Sequence, residues 1–282
     1  MYQFFVEDEQ IGREFVTITG TDVNHIKNVL RMKPGEKIRV SNQKGRDFFC
    51  EISEVADAFV QAEILKEDAP STELCGRIYL FQGIPKGDRM ETVIEKAVEL
   101  GVYEIIPVAM QYCVVKLDAK KEAARIKRWQ KLSEAAARQS KRSRIPEIHA
   151  VMNYREAVEY ALQCDVCLVP YENEIGMKNT KDALSSLKPT DSIAVFIGPE
   201  GGFSREEIEM VKDRMQVISL GRRILRTDTA GIAVMAAMML ELEAKAEEGV
   251  TEIPFGYPFM RKKMRNKYER KQQWRNRKKN GL

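Results

Sequence analysis

Ile197-Gly198-Pro199-Glu200-Gly201-Gly202-Phe203-Ser204 and Leu220-Gly221-Arg222-Arg223-Ile224-Leu225-Arg226-Thr227-Asp228-Thr229-Ala230 are the two stretches that decide how this chain is read. Each follows an apolar run rich in β-branched residues (193–197 and 217–220) and precedes a helical pattern, so both read as loops at the carboxyl ends of strands. Open α/β sheets bind their ligands there. Three glycines and a proline within five residues allow a sharp turn that bares backbone amides. Ser204 and Glu207 have the spacing of a capping box for the next helix. Gly198 to Gly202 matches neither a phosphate-binding G-x-x-x-x-G-K-[ST] loop nor a dinucleotide G-x-G-x-x-G. It is either a plain strand-to-helix turn or a wrap around a flat ligand. Arg222, Arg223 and Arg226 beside it favour the second reading, with an anionic substrate.

Outward from these loops, strands and helices alternate from Arg77 onward. Ile78–Phe81, a helix over 88–100, Ile105–Val108, a helix over 154–162 and Val166–Val169 imply a mainly parallel sheet with helices on both faces. Gly101 reads as a helix C-cap. Residues 120–144 hold a long basic helix with Lys127, Arg128, Trp129, Lys131, Arg138 and Lys141. Its tryptophan is either a stacking platform for RNA bases or a core residue under a solvated basic face. Residues 230–246 form an apolar helix whose stripe, Ile232, Met235, Met239 and Leu242, suits a core or a subunit interface.

Residues 1–68 read differently, as short alternating strands around one amphipathic helix at 22–31 that stops at Pro34-Gly35, a small β-barrel pattern. His25, Lys27 and Arg31 on that helix are either phosphate contacts or solvated residues. The polar stretch 66–76 reads as a linker. At the other end, 261–279 carries eleven Lys or Arg and one acid, so +10 sits in a tail while the remainder of the +4 chain carries −6. Such a composition predicts disorder in isolation and affinity for RNA; a solubilising appendage is the alternative.

The 282 residues suffice for two domains, and 44% hydrophobic with 31% charged content is ordinary for a globular protein. The longest apolar run, 230–242, is too short to span a bilayer, and MYQFFVEDEQ lacks the features of a signal peptide, so a cytoplasmic protein is expected. Five scattered cysteines fit reduced thiols. Cys164 and Cys167 have redox or zinc spacing, but no second pair or nearby histidine completes a site, so they read as core thiols.

The pair IGPEGGFS and LGRRILRTDTA resembles the signature of the RsmE family of 16S rRNA (uracil-N3)-methyltransferases, of the SPOUT class. The likeness extends from the N-terminus to about residue 247 and includes HIKNVLRMKPGEKIRV (25–40), Lys86–Glu91, Lys96–Val102, and the RW-x-K and QS-x-R-x-R-x-P lines at 128–131 and 139–146. It implies an α/β fold, with a PUA-like β-barrel RNA-binding domain over 1–72 and a trefoil-knotted SPOUT domain over 73–250; members of the family commonly end near residue 250, and composition alone marks 251–282 as a basic, disordered tail. It also implies a homodimer, S-adenosylmethionine as cofactor, no metal, and 16S rRNA or the small ribosomal subunit as partner, methylated at N3 of one uridine in the decoding region. Carried over residue by residue, it assigns catalysis to Arg226, Asp228 and Glu200. Arg226 would stabilise the uracilate or a phosphate, Asp228 would orient or accept the proton, and Glu200 would be an alternative base if packing raised its pKa. It assigns the cofactor to Leu168, Pro170, Ile197, Gly198, Glu200, Gly201, Leu220, Gly221, Ile224 and Leu225. RNA contacts fall to His25, Lys27, Arg31, Lys86, Gln139, Arg142 and Arg144, with Trp129 drawn toward the RNA side.

The chain departs from the family pattern at three places: Lys141, where glycine is usual; Asp228, where glutamate is more often found; and Gly231. Two rivals stay open, a knotted methyltransferase acting on tRNA and an RNA-binding or ribosome-assembly protein without catalysis. Deleting residues 261–282 is expected to weaken binding to small-subunit RNA and to flatten its salt dependence in a titration. Unchanged binding at every salt concentration would assign the tail another role.

Overall fold

A computed structural model describes residues 1–68, 72–115 and 118–248; the tail expected at 251–282 lies outside them. Five strands come first: β1 (Tyr2–Phe5), β2 (Phe15–Thr19), β3 (Lys37–Ser41), β4 (Asp47–Val55) and β5 (Phe59–Asp68). They form one sheet in the order β1-β3-β4-β5-β2, antiparallel except for β1 against β3. The alternation read in the sequence turns Val16, Ile18, Ile38, Val40, Phe48, Cys50, Ile52, Val60 and Ala62 into a shared core. Helix α1 (Thr21–Asn24) runs into a wider turn, in which the Leu30 N–H reaches back five residues to the His25 carbonyl at 2.8 Å, and Ile26 caps the core. Arg31, at φ 54°, ends this helix in the left-handed region.

The second sheet is parallel throughout. It comprises β6 (Arg77–Gly83), β7 (Val102–Ala109), the two-residue strands β8 (Glu147–Ile148) and β9 (Met152–Asn153), β10 (Val166–Pro170), β11 (Ser192–Ile197) and β12 (Gln216–Ile218). The order is β12-β10-β11-β6-β7-β8, with β9 also on β7. Six helices complete it: α2 (Arg89–Glu99), α3 (Ala119–Ser140), α4 (Tyr154–Ala161), α5 (Lys178–Ser186), α6 (Arg205–Val211) and α7 (Thr227–Glu248). One core packs α2, α3, α5 and α7 on the sheet, and a second packs α4 and α6. In α2 the buried residues Met90, Val93, Ile94, Ala97 and Val98 follow the i, i+3, i+4, i+7 rule, and each large one contributes about 1.5–3 kcal/mol by leaving water.

Helix α7 is turned slightly from the expected stripe. Val234, Met235, Met238 and Leu242 face inward, while Ile232 and Met239 are only half-buried and Leu240 is 63% exposed. Gly231 faces the sheet, where a Cβ would make only ordinary contact, 3.5 Å from the Gln82 Oε1, so the packing does not require glycine there. No described helix is long and apolar enough to cross a membrane. All five cysteines are free, and burial pushes the thiols of Cys164 and Cys167 up to about 12 and about 11.

Two expectations for the basic segment are corrected. Trp129 is 3% exposed and packs in the core beneath α3, so it offers no face for a base to stack on. Arg142 is 4% exposed and cannot reach RNA. Its guanidinium pairs with Glu73 and donates to the carbonyls of Val98, at 3.2 Å, and Val102, at 2.6 Å. The neighbouring Ser143 hydroxyl donates to Asp47, which also pairs with Arg39 at 2.9 Å. The Ser143 carbonyl accepts from Ser41 at 2.7 Å, and the Arg142 carbonyl accepts from Gln3. This buried polar joint ties the first sheet to the second. Lys141 takes the left-handed conformation, φ 63°, a region that favours glycine, so the turn after α3 carries a side chain where glycine would fit without strain. Arg142→Ala removes the guanidinium that pairs with the Glu73 carboxylate and bonds two carbonyls, and urea unfolding should show a loss of about 3 kcal/mol.

Candidate active site

The carboxyl ends of β10, β11 and β12 lie side by side, with Leu168 opposite Val195 and Pro170 opposite Ile218. The loops that leave them, together with the start of α7, enclose a cleft of about 610 Å³, well within the size range of small-molecule sites. The two loops read from the sequence therefore meet. Pro170, Ile197, Gly198, Glu200, Gly201, Leu220, Gly221, Ile224, Leu225 and Arg226 all line this cleft. Leu168 does not. It lies two residues inside β10, fully buried in the core, and Pro170 at the strand end is the residue that reaches the cleft.

The glycine turn depends on absent side chains. Gly202 has φ +69°, and a Cβ on it would run into the Glu172 carboxylate. One on Gly201 would stand 2.7 Å from the Tyr112 Cβ, and one on Gly198 would stand 3.0 Å from the Gly202 carbonyl carbon. The loop closes through the Gly202 N–H donating to the Pro199 carbonyl at 2.9 Å, and its far end starts α6. There Ser204 and Glu207 form the expected capping box, at 2.8 and 3.1 Å. Glu207 is buried, and its other oxygen accepts from the Gln111 N–H at 2.8 Å.

The second loop is fastened by a residue that pattern reading passed over. The buried Thr227 hydroxyl donates to the Gly198 carbonyl at 2.6 Å and accepts from the Gln82 side-chain amide at 2.9 Å. One hydroxyl thus links β6, the glycine turn and the first turn of α7. Gln82, Arg89, Glu172 and Tyr112 also join the site unannounced. A glutamine inside an otherwise apolar strand was the available signal for Gln82, and Lys86–Glu91 was the signal for Arg89.

Glu200 accepts from the Lys86 backbone N–H at 3.0 Å and pairs with Arg89 at 2.6 Å. Burial alone would raise its pKa, but the Lys86 and Glu200 amides and Arg89 outweigh burial and hold the carboxyl below its ordinary value. The idea that packing raises it toward a general base is therefore overturned. Arg222, Arg223 and Arg226 are exposed at the rim and have no carboxylate partner among the described residues. Ile224 between them is 88% exposed. The positive end of the α7 dipole adds to their field. Asp228 does not line the cleft; its Oδ1 is buried with no hydrogen-bond partner among the described residues.

The expected RNA contacts are spread over two regions. His25, Lys27 and Arg31 are exposed on the first domain, Lys27 being paired with Asp57. Lys86 is exposed beside Glu200, and Gln139 is exposed near the end of α3. Arg144 is half-buried, with its guanidinium 3.6 Å over the ring of Tyr103. Among the described residues one trio, Glu104, Glu147 and His149, has the donor set of a metal site. It is held together by His149 and Tyr160 on one Glu104 oxygen, at 2.8 and 2.9 Å, and lies by the amino-terminal end of β7, away from the cleft.

Residues 72–239 match the family model for an RNA methyltransferase domain, and residues 18–65 match that for an RNA methyltransferase PUA domain. The ribosomal RNA small subunit methyltransferase E of Bacillus subtilis is 34% identical over 250 residues, covering 86% of this chain and 98% of that protein. The crystal structure of the enzyme of the same name from Neisseria gonorrhoeae, bound to S-adenosyl methionine, is 32% identical with a TM-score of 0.74, covering 85% of this chain and 97% of that one. A Legionella pneumophila protein whose structure holds the cofactor SAM is 30% identical with a TM-score of 0.75 over the same shares. With its PUA domain, its α/β methyltransferase domain and this likeness along most of its length, the chain belongs to the ribosomal RNA small subunit methyltransferase E family.

Proposed function

We propose that this protein transfers the methyl group of S-adenosylmethionine to N3 of a uridine in the decoding region of 16S rRNA, free or in the small subunit. The observation that carries this reading is the single cleft that brings the glycine turn together with three exposed arginines, none of them in an ion pair among the described residues. The residues present fit the cofactor. Gly198, Gly201 and Gly202 line the cleft in a turn too tight for side chains, and Ile197, Leu220 and Leu225 give an apolar surface for a purine. When bound, S-adenosylmethionine supplies an electrophilic methyl group on a positively charged sulfur.

The protein then has two roles at the uracil, to stabilise charge on its carbonyl oxygens as N3 loses its proton and to hold N3 in line. We assign the first to Arg226, which lines the cleft and whose planar fork can donate two parallel hydrogen bonds. Glu200 acts elsewhere. Paired with Arg89 and held by two amides, it fixes the wall of the cleft as a permanent carboxylate. Asp228, two residues after Arg226 but outside the lining of the cleft, is left the lesser part of orienting the N3 proton from the first turn of α7. We further propose that the two loops belong to a trefoil knot and that two copies pair through the outer face of α7, where Leu240 is exposed beside Ile232 and Met239. Five free thiols fit a reducing cytoplasm.

Incubating the purified protein with unmodified small subunits and cofactor should yield N3-methyluridine in 16S rRNA on mass spectrometry of nucleosides; a product confined to tRNA, or none, would overturn the reading. Arg226→Ala should lower kcat by about 10²–10³ while leaving cofactor affinity near wild type in calorimetry. Thr227→Val removes the hydroxyl that ties α7 to Gly198, and cofactor affinity should fall about tenfold, equivalent to about 1.4 kcal/mol.

A further inference from the structure

A second cleft, of about 370 Å³, opens between the two sheets. Its walls come from the β3–β4 turn at Lys44, the segment before β6, the first residues of β6 and β7, and the stretch after α3. It lies at the amino-terminal edge of the parallel sheet. Arg77 opens β6 and Gly83 closes it against Pro199, so six residues at about 3.3 Å each put this cleft roughly 20 Å from the glycine turn.

The charges in it are unbalanced. Glu73 is spent on Arg142, which forms part of the wall, and Lys44 is held by an exposed pair with Asp8 at 2.7 Å, of a kind that contributes little. Arg77 and Arg144 make no ion pair among the described residues, Arg144 being felt by Glu104 only at longer range, and both lie against one ring. Their guanidinium carbons stand 5.2 and 3.6 Å from the centroid of Tyr103. Tyr103 in turn packs against Tyr79, with centroids 5.3 Å apart. The Arg144 Nε is buried with no hydrogen-bond partner among the described residues. Two like charges gathered on one aromatic ring repel each other, and an anion entering the cleft would relieve that repulsion. Leu74 and Tyr103 supply most of the apolar wall, too little to hold a free nucleotide by its base. A phosphodiester backbone needs no such pocket, and it can cross both domains.

We propose that Arg77, Arg144 and Lys44 form a second RNA-contact site that grips backbone phosphates of the substrate about 20 Å from the methyl-transfer cleft. Tyr103 and Tyr79 hold the two guanidiniums in place. The site rests on the reading of this protein as an rRNA methyltransferase, and its role is to set which uridine of a long RNA reaches the cofactor. A substrate held at two points so far apart is an extended or folded RNA, not a short loop.

The test uses the full-length protein with Arg77→Gln and Lys44→Gln, both at exposed positions, and Arg144→Gln, measured by fluorescence anisotropy on 16S rRNA across a salt series. Each substitution should lower the slope of log affinity against log salt by about one. Each should also raise KM for small subunits by about tenfold at moderate salt, with kcat and S-adenosylmethionine affinity unchanged. Arg144→Lys, which keeps the charge, should restore most of the slope. Variants that keep the wild-type slope and KM overturn this site while leaving the methyltransferase reading intact. A wild-type protein that neither binds nor methylates 16S rRNA overturns both.

Discussion

The Thr227 hydroxyl is the constraint on which the methyl-transfer cleft depends. It gives its proton to the Gly198 carbonyl and takes one from Gln82, so a strand, a turn and a helix that are far apart in the chain are fixed to one another by a single oxygen. Were Gly198 free, the glycine turn could relax in many directions, because glycines have few preferred conformations. Anchored at one end by Thr227 and at the other by the Ser204–Glu207 cap, the turn keeps one shape along the wall of the cleft. The arginines 222, 223 and 226 follow from the same anchor, since the helix that begins at Thr227 fixes where the loop before it must end. Order in the loop is thus supplied by the frame beneath it, and its exposed cations are left available for a ligand.

A comparable arrangement joins the two domains. Arg142, Glu73, Asp47, Ser143 and Arg39 are buried, or nearly so, and bonded among themselves across the boundary. Buried ion pairs contribute little net stability because desolvation offsets attraction, yet they tolerate only one geometry. For an enzyme whose RNA contacts are expected on both domains, that fixed geometry sets the spacing between what the first domain binds and what the second modifies.

Much of this was legible in the sequence, for physical reasons that differ from place to place. The two loops were visible because glycine, proline and the Ser204–Glu207 spacing are local signals, and the parallel sheet was visible because its strands are uninterrupted apolar runs. The capping box, the cap at Gly101 and the free thiols emerged as expected. What escaped was decided by distant partners. Arg142 looks like its neighbour Arg144 until Glu73, 69 residues earlier, is known to meet it. Trp129 sits among cations in sequence, but its ring falls on the buried side of α3. Leu168 and Pro170 are two residues apart on one strand, and only the length of the strand decides which one reaches the ligand space. Glu200 looked free to titrate because nothing in its own loop shows that Arg89 is waiting opposite.

The Gln3 side chain donates to the Arg142 carbonyl, a partner 139 positions further on, and Lys141 donates to the carbonyl of Met1 at 2.7 Å. During synthesis these bonds have to wait until half of the protein has left the ribosome tunnel. The opening strand can pair with β3 early, but its final seating comes late, after α3 has formed. Order of emergence and order of completion therefore differ: Met1 and β1 are made long before their partners at 141 and 142, so their bonds across the junction cannot form until that segment follows.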